Sequence, residues 1–141
     1  MDTEKIVIKI EADINASLDK VWKYWNDPAH MTHWNYASND WHCPWATNDL
    51  KIGGKFVARM EAKDGSVGFD FSGVYDKIEF QQQIVYSMED GRIVKISFSS
   101  TDEKTNVKIH FDAETENPIE LQQVGWQSIL NNFKKHCESD L

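Results

Sequence analysis

The 141-residue chain is 40% hydrophobic and 12% aromatic, with six tryptophans and a formal net charge of -8. That length and apolar content predict one folded core, a single domain over residues 1–141, and exclude a disordered chain. The negative charge weighs against nucleic acid and anionic membrane surfaces as partners.

No apolar run approaches the roughly 18 residues of a spanning helix, so membrane insertion is not expected. Met1 to Lys5 lacks a basic region followed by an apolar stretch and does not read as a signal peptide. Cys43 and Cys137 form no CxxC and no disulfide framework. Together these predict a reduced, cytoplasmic protein.

Residues Glu4 to Ile14 alternate. Ile6, Ile8 and Ile10 point one way and Lys5, Val7, Lys9 and Glu11 the other, which predicts a half-buried strand. Asn15-Ala16-Ser17 breaks the pattern, and Ser17 suits a helix N-cap. Lys20 stands where a capping box would need Glu. Leu18, Val21, Trp22 and Trp25 then recur at helical spacing until Asn26-Asp27-Pro28, because the residue before proline avoids the α region. A short second helix is predicted from Pro28 or Ala29 to about Trp34.

Asn35 to Asp49 reads as irregular and carries Tyr36, Trp41, His42, Cys43, Pro44 and Trp45. Loops usually run over wet surface, so these rings predict a segment that folds over the core or covers something. A meander follows. Strands are predicted at Phe56 to Glu61, Val67 to Ile78 and Ile84 to Met88, then around Val94 to Phe98 and Val107 to Ala113. Asp64-Gly65 and Asp90-Gly91 mark turns. Successive strands with tight turns favour one antiparallel sheet and an α+β fold.

The last element is a long helix opening at Asn117-Pro118, with Asn117 as N-cap and Glu120 completing a variant capping box. Ile119, Gln122, Trp126, Ile129, Leu130, Phe133 and Cys137 form one stripe at three- and four-residue spacing. Gln127, Asn131, Lys134 and Glu138 occupy the opposite face. Gly125 sits in the helix interior, where it costs about 1 kcal/mol relative to Ala. It fits either close packing on a strand or room left beside Trp126 for a bound molecule.

A strand, two short helices, a meander and a closing helix is the plan of the START-like, or SRPBCC, superfamily. The run from Asp40-Trp41-His42-Cys43-Pro44-Trp45 to Leu50, with Gly53-Gly54-Lys55-Phe56, resembles the loop and second strand of the bacterial branch related to the activator of Hsp90 ATPase. Met60 to Gly65, Phe69-Asp70-Phe71-Ser72-Gly73-Val74-Tyr75 and Gly125-Trp126 extend that resemblance over nearly the whole chain. It implies a helix-grip fold, in which a curved antiparallel sheet wraps the C-terminal helix and leaves a cavity for lipids, sterols, polyketides or other apolar molecules. It also implies that the aromatic loop helps form the cavity mouth.

Apolar pockets with a few polar anchors are the usual small-molecule sites. Candidate lining residues are therefore Trp34, Trp41, Trp45, Phe56, Phe69, Phe71, Tyr75 and Phe98 from the sheet and loops. Gln122, Gly125, Trp126, Ile129, Leu130 and Phe133 would form the helix wall. Any one of these rings equally fits plain core packing.

Other constellations are weaker. His30, His33, His42 and Cys43 hold metal-ligand types, but not at the spacing of a zinc finger. Asp70 lies near Arg59 and Glu61, yet on period two it faces away from Phe69 and Phe71. Cys43 beside His42 lacks a base aimed at it, and Gly53-Gly54 lacks the Lys-Ser/Thr of a phosphate loop. No metal, cofactor or catalytic residue is expected.

Three functions compete. The first is a module holding a small apolar or aromatic ligand between sheet and helix. The second is a chaperone-partner protein, as the Hsp90 resemblance implies, although the separate N-terminal domain of the eukaryotic activators is not in this sequence. The third is a cyclase or hydratase, for which Tyr75, Tyr86, Arg59, His110 and Gln122 are the polar supply.

Overall fold

A computed structural model describes residues 6–139. Glu4 and Lys5, which the alternation assigns to the first strand, lie outside the described residues. Strand β1 (Val7–Ile14) buries Ile8, Ile10, Ala12 and Ile14 and turns its alternate residues outward. Ile6 shares that parity but precedes the strand and is exposed.

Ser17 caps α1 (Leu18–Asn26), its hydroxyl accepting the Lys20 N–H at 3.3 Å. Asp27 serves two helices. Its N–H donates to the Lys23 carbonyl at 2.9 Å, closing α1, and its carboxylate accepts the Ala29 N–H at 2.9 Å, opening α2 (Pro28–Met31). α2 stops at Met31, short of the predicted Trp34. Trp34 instead follows in a turn, buried, with its indole N–H donating to the Tyr24 carbonyl at 3.1 Å.

The segment predicted as irregular holds two short strands, β2 (Trp41–His42) and β3 (Ala46–Asn48). Both pair antiparallel with β4 (Lys55–Ala62). Two or three residues are too few to show a period, so their pattern is invisible in the sequence. The meander continues through β5 (Gly68–Glu79), β6 (Gln83–Ser87), β7 (Ile93–Thr101) and β8 (Lys104–Asp112). The sheet order is β1-β8-β7-β6-β5-β4-β2, with β3 also on β4. A bulge between Tyr75 and Lys77 interrupts β5. Bulges bend a strand, and this one returns Ile78, opposite the buried Ile84, to the inner face.

The long helix α3 (Ile119–Ser139) does not open with the predicted capping box. The Leu121 and Gln122 N–H groups donate to the Pro118 carbonyl at 3.1 and 3.2 Å. Asn117 turns backward, its N–H and side-chain amide donating to Glu114 Oε1 at 2.6 and 2.9 Å. The Gln122 amide then ties the loop to the helix, donating to the Asn117 carbonyl at 2.8 Å and accepting the Glu114 N–H at 2.9 Å.

α3 lies along β1, an edge strand of the sheet, and its side chains satisfy the edge. Gln123 donates to the Lys9 carbonyl at 3.4 Å, Gln127 to that of Glu11 at 3.2 Å, and Lys134 to that of Asp13 at 2.6 Å. Glu138 accepts the Asn15 N–H at 2.8 Å. The face read from the sequence as polar and opposite is thus partly a strap on unpaired backbone. Leu130, Phe133 and Cys137 enter the core. Phe133 sits edge-on to Trp25 and Trp34, each with ring centroids 4.9 Å away. The whole is the helix-grip arrangement, with a curved sheet, two short helices after the first strand and one long helix.

α2 and the end of α3 meet through histidines. His30 Nδ1 and His136 Nε2 are 2.9 Å apart, and His33 stacks on His136 at 5.2 Å. Tyr24 stacks on His30 at 3.7 Å, and Lys20 lies over the Tyr24 ring. A hydrogen bond between two imidazoles requires one neutral nitrogen as acceptor. Burial holds the pKa of both His30 and His136 below the ordinary value, His136 also through the neighbouring His30.

Two outcomes follow from this packing. Phe133→Ala should cost about 3–5 kcal/mol in urea unfolding, because its wholly buried ring leaves a cavity between two indoles. The second concerns pH. The unfolded chain protonates these histidines near 6.5, whereas the folded chain resists protonation. Their contribution is therefore complete above about pH 6.5 and is lost progressively as pH falls below it. His136→Gln should flatten the pH dependence of unfolding in that window, and an unchanged slope would show that the pair is uncoupled from folding.

Candidate functional site

Between the inner face of the sheet and α3 lies a cavity of about 440 Å³. β4 and β5 supply Phe56, Met60, Phe69, Phe71 and Tyr75 to its wall. β6 to β8 supply Ile84, Tyr86, Val94, Ile96 and Ile109. Gln122, Gly125, Trp126, Ile129 and Leu130 form the helix wall, and Trp25, Met31, Trp34 and Asn35 line it from α1, α2 and the turn after α2. Phe69, Asn117 and Leu121 line the cavity while largely exposed, which marks its mouth.

Two glycines shape this space in opposite ways. A Cβ on Gly73 would lie 2.5 Å from the Tyr86 ring and 2.7 Å from the Phe56 ring, so its absence lets the wall close tightly. A Cβ on Gly125 would meet nothing within 4 Å. The close-packing reading of Gly125 is therefore overturned, and the helix there borders open space. Trp126 is drawn aside, stacked on Phe111 at 3.9 Å and edge-on to Phe71 at 5.9 Å.

Four candidate lining residues lie elsewhere. Trp45 is 45% exposed, and its carbonyl accepts the N–H of Arg59, whose side chain is on the outer face. Trp41, opposite Ala62, packs against Phe69 with centroids 6.0 Å apart, beside the mouth rather than in the wall. Of the rings of the aromatic loop, Trp41 lies beside the mouth through its contact with Phe69. Phe98 packs edge-on to Trp22 at 5.2 Å, and Phe133 fills the space between Trp25 and Trp34. Both are core, because helical and strand periods mark the inner face but not how far along it the cavity runs.

The sequence reading missed Arg92 and Met88, which enter the wall from either side of the turn between β6 and β7. Tyr86 stands among the candidates above for its polarity alone. The parity of Ile84, Tyr86 and Met88 carried the signal for two of these. Arg92 had none, since it leaves a turn before any alternation begins.

The wall is mostly apolar, with few polar atoms. The Tyr75 hydroxyl donates to Asn48 Oδ1 at 2.6 Å. Burial pushes both phenols, Tyr75 and Tyr86, well above the ordinary range. Arg92 Nε is held by Asp90 at 2.7 Å.

The remaining constellations separate in space. Arg59 pairs with Glu61 at 2.8 Å and Asp70 at 3.1 Å, away from the cavity, as period two requires. His42, on β2, lies 3.6 Å from Glu61, whereas His30 and His33 pack against His136. Burial raises the Cys43 thiol to about 11, so it is a poor nucleophile. Among the described residues no three His, Cys, Asp or Glu side chains converge as metal ligands. Among them, too, no helix is long and apolar enough to cross a membrane.

Comparison with known proteins agrees with this geometry. The family model described as Activator of Hsp90 ATPase homolog 1-like protein matches residues 15–138. The solution structure of an AHSA1-like protein from Aeromonas hydrophila superposes with a TM-score of 0.89 at 45% identity, covering 95% of this chain and 93% of that one. A solution structure from Cytophaga hutchinsonii gives 0.81 at 52% identity, over 94% and 92% of the two chains. A crystal structure from Nitrosomonas europaea shares the fold, with a TM-score of 0.81 at 15% identity over 96% of each chain. Among functionally curated proteins, none matches. With its helix-grip fold and a family match over most of its length, the chain belongs to the Activator of Hsp90 ATPase homolog 1-like family, within the START-like/SRPBCC superfamily.

Proposed function

We propose that this protein binds a small apolar or aromatic molecule in the cavity between its sheet and α3, as a carrier or sensor. The observation that carries this reading is the open space at Gly125. A helix that served only to pack would gain stability from a side chain there, and the sheet opposite leaves room for one. The volume of about 440 Å³ falls within the roughly 300–1,000 Å³ of small-molecule sites, and the wall is ring-rich with few polar atoms.

Holding a ligand fits the wall better than transforming one. Of the polar groups considered for catalysis, Arg59 and His110 do not line the cavity, while Tyr75, Tyr86 and Gln122 do. Both phenols hold their protons more firmly than usual, and the Gln122 amide is engaged by the loop before α3. A general base near neutral pH would need a pKa close to that range. A reducing cytoplasm is the compartment that suits the two buried free thiols, Cys43 and Cys137.

Gly125→Ala should raise stability by up to about 1 kcal/mol, because it adds helix propensity without a clash. Gly125→Leu should fold equally well yet abolish the ligand-induced thermal shift of any molecule found by screening. A Gly125→Leu protein that keeps wild-type affinity would place the ligand elsewhere.

A further inference from the structure

The polar atoms of the cavity are not spread evenly. Tyr86 is only 5% exposed and lines the cavity, and no hydrogen bond joins its hydroxyl to another described residue. Tyr75, its neighbour across the β5–β6 pair, satisfies its own hydroxyl on Asn48. Tyr86 therefore presents the donor left open to a ligand.

Arg92 shares this region. Tyr86 pairs with Val94, and Arg92 precedes Val94 by two residues on the same parity. Such diagonal neighbours lie on one face about 7–8 Å apart, within reach of a long side chain. The guanidinium is oriented, because its Nε donates to Asp90 Oδ2 at 2.7 Å and its backbone N–H to Asp90 Oδ1 at 3.1 Å. Its two Nη groups have no hydrogen-bond partner among the described residues, and its side chain is three-quarters buried, at 23% exposure. The acid of the lining, Glu114, has one oxygen taken by the Asn117 N–H and side-chain amide.

Building on the binding reading above, we propose that the ligand is an amphiphile whose carboxylate is received by Arg92 Nη and the Tyr86 hydroxyl, with its apolar body along Trp126 and Leu130. A held guanidinium matches the two oxygens of a carboxylate geometrically, and charge-assisted bonds of this kind are the strong ones. The apolar wall has no comparable claim on a polar group. An uncharged ligand would leave the three-quarters-buried Arg92 with Asp90 as its single partner among the described residues.

The test compares decanoate with decanol, which share a chain and differ in the head group, by amide NMR titration at neutral pH. The wild-type protein should bind decanoate at least about tenfold more tightly than decanol. Arg92→Gln should weaken decanoate by about tenfold and change decanol by less than about twofold. Tyr86→Phe should weaken decanoate severalfold with the amide spectrum otherwise retained. Equal wild-type affinity for the two molecules would overturn the carboxylate assignment and leave the binding reading standing. So would undiminished decanoate binding by a folded Arg92→Gln protein. If neither molecule binds the wild-type cavity, both the assignment and the binding reading fail.

Discussion

Everything in this fold depends on how α3 is fastened to β1. An edge strand exposes a row of backbone groups that must find partners. Here the row is met by side chains spaced along one helix, from Gln123 near its start to Lys134 and Glu138 near its end. These bonds set the height of the helix along the strand. Leu130, Phe133 and Cys137 then anchor its C-terminal half in the core.

Fastening along β1 and at the C-terminal end leaves a cavity between the N-terminal half of α3 and the inner face of the strands farther from β1. Past Leu130 toward the N-terminus the helix offers Gly125 and Gln122 where apolar side chains would close the gap. Trp126 does not fill the gap either, because stacking on Phe111 holds its ring against β8. The cavity is thus a consequence of where large side chains are withheld and how one ring is restrained. Across it, the bulge in β5 and the absent side chain of Gly73 shape a curved, close-packed wall.

The polar groups divide by the same geometry. Those satisfied within the protein, such as Tyr75 with Asn48 or Gln122 with its loop, serve the scaffold. Tyr86 and Arg92 face the cavity with donors to spare, and that contrast gives an otherwise apolar space a chemical direction. The histidines of α2 and α3 belong to the scaffold too, joining the small helices to the far end of the long one.

Much of this is legible in the sequence. Alternation at Ile8, Ile10 and the later strands, helical spacing from Ile119 to Cys137, and Ser17 as a cap are local signals, and backbone geometry makes such periods direct reports of which face is buried. These signals give the order of the helices and the longer strands, the inward faces of those strands and the apolar stripe of α3. Tertiary structure alone decided which inward residues meet a cavity and which meet each other. Phe98 and Phe133 carry the same periodic signature as Phe71 and Leu130, yet two indoles close around Phe133 while Leu130 borders open space. Tertiary structure also decided that Trp45 is exposed just before the three-residue β3 and that Arg92 turns inward from a hairpin. Periodicity reports direction within an element, whereas distance between elements is set by packing among residues far apart in the chain.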